Sequence, residues 1–162
     1  IVSEGRHPLA FDQLLTIDDH RSHLRTVKYL ARDARPAIVI AASGMCSGGR
    51  IVNYLKEMLG DPRHDLLFVG YQAAGTPGRI IQTYGPRGGY VDLDGSRYTI
   101  RAAVHTLGGY SAHADQNDLV NFINRMQQSP KQVRLVHGDQ GAKQALADKL
   151  RKLGSGCEIV IP

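Results

Sequence analysis

Apolar positions along this chain keep two rhythms, one of helices and one of short strands. Leu24, Val27, Leu30 and Ala31 recur at the three- and four-residue spacing of a single helix face. Asp18 and Asp19 stand just ahead of them, where acids are stabilised by the positive end of a helix dipole. Arg35-Pro36 ends the helix, because the residue before a proline avoids the α region. His20 and His23 lie three apart on this helix and read as solvated surface histidines. Ala37-Ile38-Val39-Ile40-Ala41-Ala42 is then a continuous apolar run, which predicts a buried parallel strand. A second helix follows, with Ile51, Val52, Leu55, Met58 and Leu59 on one face. Leu66-Leu67-Phe68-Val69 predicts a second buried strand. Thr76 and Pro77 supply the cap and first position of the helix after it. Residues 1–16 show no clear period, and Pro8 with Leu9-Ala10-Phe11 reads as a strand end or extended entry.

The texture changes after Gly85-Pro86-Arg87-Gly88-Gly89. Tyr90-Val91-Asp92-Leu93, the dipeptide Asp94-Gly95 and the alternating Arg97 to Ala102 spell a hairpin closed by a type I′ turn. His105 falls at the end of the return strand and reads as a surface histidine. A helix is expected from about Asp115, burying Leu119, Val120, Phe122, Ile123 and Met126, and Ser129-Pro130 stops it. Val133-Arg134-Leu135-Val136 forms a strand that delivers His137. Ala142, Ala145, Leu146, Leu150 and Leu153 mark another helix, and Cys157 to Ile161 a terminal strand. Strand, turn and helix in repeated succession predict an open α/β sheet with right-handed crossovers.

With 162 residues the chain is long enough for one ordinary domain or two small lobes. No apolar run approaches the roughly 20 residues a membrane helix needs. There is no signal peptide, and the start on Ile1 leads us to expect a fragment or processed piece. Cys46 and Cys157 lack CxxC spacing, so two thiols in a reducing, cytoplasmic setting are expected. The net charge of +5 is compatible with a polyanionic partner but does not require one. Only 6% of residues are aromatic and none is Trp, which argues against a stacking platform for nucleic acid.

Candidate chemistry gathers at the element junctions. Ser43-Gly44-Met45-Cys46-Ser47-Gly48-Gly49-Arg50 joins a strand to a helix, an arrangement that aims backbone N–H groups at an anion. It is neither a Walker A loop nor a GxGxxG fingerprint, and a plain tight turn remains an equal reading. Gly70 to Arg79 repeats the same logic. Two histidines occupy the other junctions: His113 in Gly109-Tyr110-Ser111-Ala112-His113-Ala114-Asp115, and His137 in Leu135-Val136-His137-Gly138-Asp139. A histidine can ligate zinc, exchange protons near neutral pH or donate to a phosphate. A capping or core histidine is the competing reading for each.

Four strings in this order make the chain recognisable: Ala41-Ala42-Ser43-Gly44-Met45, Gly70-Tyr71-Gln72-Ala73-Ala74-Gly75-Thr76, Ser111-Ala112-His113-Ala114-Asp115 and Val136-His137-Gly138-Asp139. Together they resemble the C-terminal portion of β-CASP metallo-β-lactamase-fold nucleases, the group of ribonuclease J and the cleavage and polyadenylation nuclease. The resemblance covers about His7 to Gly154. It implies residues 1–108 as the end of a Rossmann-like β-CASP lobe with a parallel sheet, and 109–162 as the C-terminal part of a metallo-β-lactamase αββα sandwich. It makes His113 the motif B histidine facing the scissile phosphate, and His137 the motif C histidine, a direct zinc ligand. Ser43, Gly44, Met45 and Ser111 become candidate contacts to RNA. Asp139 stands where many members carry Glu.

The HxHxDH zinc motif of that family is absent from this sequence, as are its later histidine, its bridging aspartate and its upstream motif A carboxylate. The resemblance places them ahead of Ile1. It therefore implies a parent that hydrolyses RNA phosphodiester bonds with two zinc ions, of which this chain alone holds neither firmly and is inactive. The alternative is a nucleic-acid-binding or scaffold module without catalysis. Half a sandwich would also leave the helix face of Leu119, Phe122 and Ile123 uncovered, so self-association is expected.

Overall fold

A computed structural model of the chain describes residues 12–33, 35–110, 113–154 and 156–162. The entry segment at Pro8 to Phe11 and the candidate Ser111 lie outside these. The chain divides into two compact units, Ile1–Ser111 and Ala112–Pro162, each mixed α/β with short strands.

In the first unit, α1 (His20–Arg32) starts where the acids predicted it. Asp19 is the N-cap, and its side chain accepts from the Ser22 N–H. The helix packs against α2 (Arg50–Met58). β1 (Asp65–Phe68) leads to α3 (Pro77–Tyr84), capped by Thr76. A short 3-10 turn, Gly85–Arg87, precedes the antiparallel hairpin of β2 (Tyr90–Leu93) and β3 (Ser96–Thr99). Its turn residues Asp94 and Gly95 have φ of 47° and 77°, the paired positive values a type I′ turn demands. The chain then enters β4 (Ala103–Thr106), which lies parallel to β1 with Asp65 opposite Ala103. Val52, Leu55 and Leu59 of the α2 segment, Phe68 of β1, Ile81 of α3 and Val91, Leu93, Ile100 and Ala102 around the hairpin form one buried cluster with Cys46. Burial pushes the Cys46 thiol up to about 11, so it stays protonated at neutral pH.

The strand predicted over 66–69 forms but is not buried throughout, with Leu67 and Val69 half exposed, and two further strand expectations fail for physical reasons. The apolar run 37–42 is not a strand: Ile38 and Ile40 are each 94% exposed. A run apolar on both faces needs neighbours at both edges and layers above and below. β1 pairs only with β4 among the described strands, and this two-stranded sheet does not supply both the edges and the covering layers such a run needs. The hairpin's return strand also stops earlier than its alternation predicts. The Arg101 and Ala102 N–H groups both donate to the Leu59 carbonyl, at 2.9 and 3.0 Å, and this turns the chain out of the hairpin and into β4.

The second unit contains α4 (Gln116–Asn124), β5 (Gln132–Arg134), α5 (Gln140–Lys152) and β6 (Glu158–Val160). β5 and β6 run parallel with Gln132 opposite Glu158, and α5 is the crossover between them. Ala147 and Leu150 bury α5. α4 has no buried residue: Leu119, Phe122 and Met126, predicted as its buried side, are exposed. No helix among the described residues is long and apolar enough to cross a membrane.

Ile81, fully buried, and Ile38 make a direct comparison. Ile81→Ala is expected to cost about 3 kcal/mol in urea unfolding of this chain, from lost burial and the cavity left behind. Ile38→Ala should stay within about 0.5 kcal/mol. Equal costs would contradict the placement of these two side chains.

Candidate catalytic histidines and glycine turns

The two histidines share a local design. His113-Ala114-Asp115-Gln116 and His137-Gly138-Asp139-Gln140 each place a histidine two residues ahead of an aspartate N-cap, with glutamine as first helical residue. Asp115 accepts from the Asn117 and Asp118 N–H groups at 2.7 and 2.8 Å, and the Asp118 carboxylate accepts from the Asp115 N–H at 3.0 Å. This reciprocal box fixes the first turn of α4 and the approach that carries His113. Asp139 makes no such side-chain cap on α5. There the approach is set by the strand instead: the Leu135 N–H donates to the Val160 carbonyl at 2.9 Å, continuing the β5–β6 pairing. Gly138 then turns the chain with φ of 110°, in the region that favours glycine. Both histidines are exposed.

α4 packs against α5, and Lys149 donates to Asn117 Oδ1 at 3.4 Å. Lys149 lies about 13 Å along α5 from Gln140 at the usual helical rise. The α4–α5 contact therefore does not lay the two helix starts side by side. No group of three or more His, Cys, Asp or Glu among the described residues is arranged to hold a metal ion. Zinc takes three or four protein ligands, so the described donors do not fit a complete zinc site.

The glycine turns sit in the first unit and differ in what they leave open. In the first, the Cys46 N–H donates to the Ser43 carbonyl and the Ile51 N–H to the Ala42 carbonyl. Gly49, with φ of 76°, is tight: a Cβ there would lie 2.9 Å from the Ala42 oxygen. Gly44 and Gly48 face open space, and Ser43 is half-buried beside them. In the second turn the first N–H groups of α3 are consumed internally. Gly78 donates to the Met45 carbonyl at 3.0 Å, Arg79 to Thr76 Oγ1 at 3.3 Å and Ile80 to the Thr76 carbonyl at 3.1 Å. An anion would find no donor at that helix start. Met45 points inward, with its carbonyl and its sulfur both engaged by this second turn.

Three features lay beyond periodicity. His23, expected on the surface, is 1% exposed; its Nε2 lies 3.0 Å from Asn53 Nδ2, and its ring meets Tyr54 edge-on at 5.2 Å. Desolvation, then the charges of Arg50 and His20, hold its pKa below the usual histidine value. His105 keeps its exposed position but pairs with Asp65 at 2.8 Å across the parallel strands. Gln72 is 4% exposed, inside a turn whose composition reads as solvent-facing.

Comparison with known proteins accounts for nearly the whole chain. Residues 2–81 match the Beta-Casp domain family, and residues 97–162 match the family described as a Zn-dependent metallo-hydrolase RNA specificity domain. The second match begins inside the first compact unit, at β3. The chain is 42% identical over 151 residues to Ribonuclease TTHA0252 of Thermus thermophilus, covering 93% of this chain and 32% of that protein. It is 32% identical over 154 residues to Transcription termination factor FttA of Methanosarcina mazei, covering 94% of this chain and 24% of that protein. Against FttA of Pyrococcus abyssi the identity is 40% over 122 residues, covering 74% and 19%. The chain thus spans a third or less of the length of these relatives.

The α4 cap is testable. Asp115→Ala should lower the stability of the second unit by about 1 kcal/mol, the usual worth of an aspartate N-cap, while Asp115→Asn should keep most of it. Chemical denaturation followed by circular dichroism would show this, and an alanine variant as stable as the unaltered chain would refute the capping assignment.

Proposed function

We propose, for a chain that belongs to the β-CASP family of metallo-β-lactamase-fold nucleases and matches their C-terminal portion, that it supplies two histidines to the RNA-cleaving site of a larger protein. The family acts on RNA. The observation that carries the reading is the repeated His-x-Asp-Gln approach to α4 and α5 within the RNA specificity match. In this reading residues 1–108 end a Rossmann-like lobe, and 109–162 belong to an αββα sandwich. Ser43 and Gly44 of the open glycine turn, with Ser111, contact the RNA backbone.

His113 is the catalytic residue in this proposal. From its exposed helix approach it donates to a phosphate oxygen, or passes a proton to the departing ribose oxygen. His137 is a zinc ligand, in a set completed by groups outside the described residues. The zinc-dependent character is supported by the description of the matched family. The donors among the described residues suit binding phosphate and moving protons.

In a protein carrying this chain with the remaining length of the relatives, His113→Ala should lower RNA cleavage by about 10²–10⁴-fold, the usual worth of a positioned acid or base. His137→Ala should abolish cleavage and lower the bound zinc. Undiminished cleavage by both variants would overturn the assignment, and RNA binding without cleavage by the unaltered protein would favour a binding module.

The uncovered side of α4 supports a second proposal, that this chain on its own self-associates there. Phe122 is 65% exposed beside Leu119 and Met126, on a helix with no buried side. Light scattering should show dimers or larger species that Phe122→Ser shifts toward monomer. A monodisperse monomer before substitution would exclude this.

A further inference from the structure

We propose that Met45 is a positioning residue, a strut by which the second glycine turn holds the first in place for RNA. It rests on the reading above that the first turn faces RNA, and gives Met45 a supporting role in place of the direct RNA contact the resemblance implies.

Met45 reaches across the gap between the turns with two atoms. Its Sδ accepts from the Ala73 N–H at 3.3 Å, and its carbonyl accepts from the Gly78 N–H at 3.0 Å. Ala73 passes the restraint on, because its carbonyl accepts from both the Thr76 N–H at 3.2 Å and Thr76 Oγ1 at 2.7 Å. Thr76 Oγ1 in turn accepts from the Arg79 N–H, capping α3, and α3 carries Ile81 into the core. A continuous line of hydrogen bonds therefore runs from residue 45 to the start of α3. At its other end Met45 adjoins Cys46, itself a core residue.

Gln72 closes the joint from beneath. Its Nε2 donates to the Tyr71 and Gly70 carbonyls at 3.1 and 3.4 Å. That orientation fixes Oε1 against Gly78, where a Cβ would lie 1.9 Å from Oε1 and 3.0 Å from the Met45 oxygen. Oε1 is buried and meets no donor among the described residues. A Cβ at residue 78 would press on the Met45 oxygen and displace the Gln72 amide, so glycine lets both close on it together. An ordinary packing methionine would need neither its sulfur nor its carbonyl engaged by one remote turn.

Met45→Leu keeps the buried volume and the carbonyl while removing the sulfur acceptor. Amide hydrogen exchange of this chain should then speed up at Ala73 by about fivefold, the worth of one modest hydrogen bond, with Gly78 nearly unchanged. Affinity for a short oligouridylate at low salt should weaken by a similar factor. Gly78→Ala should weaken it further, and adding Gln72→Ala should restore part of the loss by removing the closest clash. Unchanged exchange at Ala73 would overturn the strut. Faster exchange with unchanged RNA affinity would overturn its role in RNA alignment. If the unaltered chain binds no oligouridylate, the RNA-facing reading of the first turn fails and alignment for RNA with it, while the exchange result still decides the strut. Retained cleavage in the His113 variant would strike the catalytic assignment alone.

Discussion

The first unit hangs on the carbonyl of Leu59. It accepts two N–H groups, from Arg101 and Ala102, while the Leu59 side chain is 1% exposed in the core. One residue at the end of α2 thus anchors the point where the hairpin gives way to β4. It works with the Ile100 N–H bond to the Gly89 carbonyl and the Ala103 N–H bond to the His64 carbonyl, which hold the flanking residues. Backbone donors pulled out of a ladder need another acceptor, and this carbonyl supplies it twice. The crossover from β1 through α3 and the hairpin to β4 is closed by that contact as much as by strand pairing.

Where local chemistry decides, the sequence was readable. Asp19, Thr76-Pro77 and Asp94-Gly95 act through their own backbones and near neighbours, and each terminates or turns its element as expected. Where the outcome depends on remote partners, the reading failed. The 37–42 run has strand composition and no strand. β4 hides in Ala103-Val104-His105-Thr106, four residues with little pattern, because its placement follows from Leu59. His23 is polar by type yet buried by Asn53 and Tyr54 of another helix.

The same division runs through the candidate site. Histidine, small residue, aspartate and glutamine at a helix start can be read twice from the string, since capping is local. How α4 and α5 cross cannot be, and the Lys149–Asn117 contact shows that the two starts do not simply coincide. Met45 was visible as part of a glycine turn and a candidate RNA contact, but the direction of its sulfur was not. A thioether carries no periodic signal, and its partners stand some thirty residues on.

The exposed run from Ala37 to Ala42 bears on how the chain behaves at high concentration. Ile38, Val39 and Ile40, three β-branched residues flanked by alanines with no charge or proline, form a segment that can stack with copies of itself. Pro36 stands directly before it, and Arg35, held by Asp33 at 2.9 Å, before that. Proline offers no N–H to a growing ladder, so Pro36 caps the run on this side. Gly44 guards the other end less firmly. Removing Pro36 would leave the run open to pairing between chains at that end.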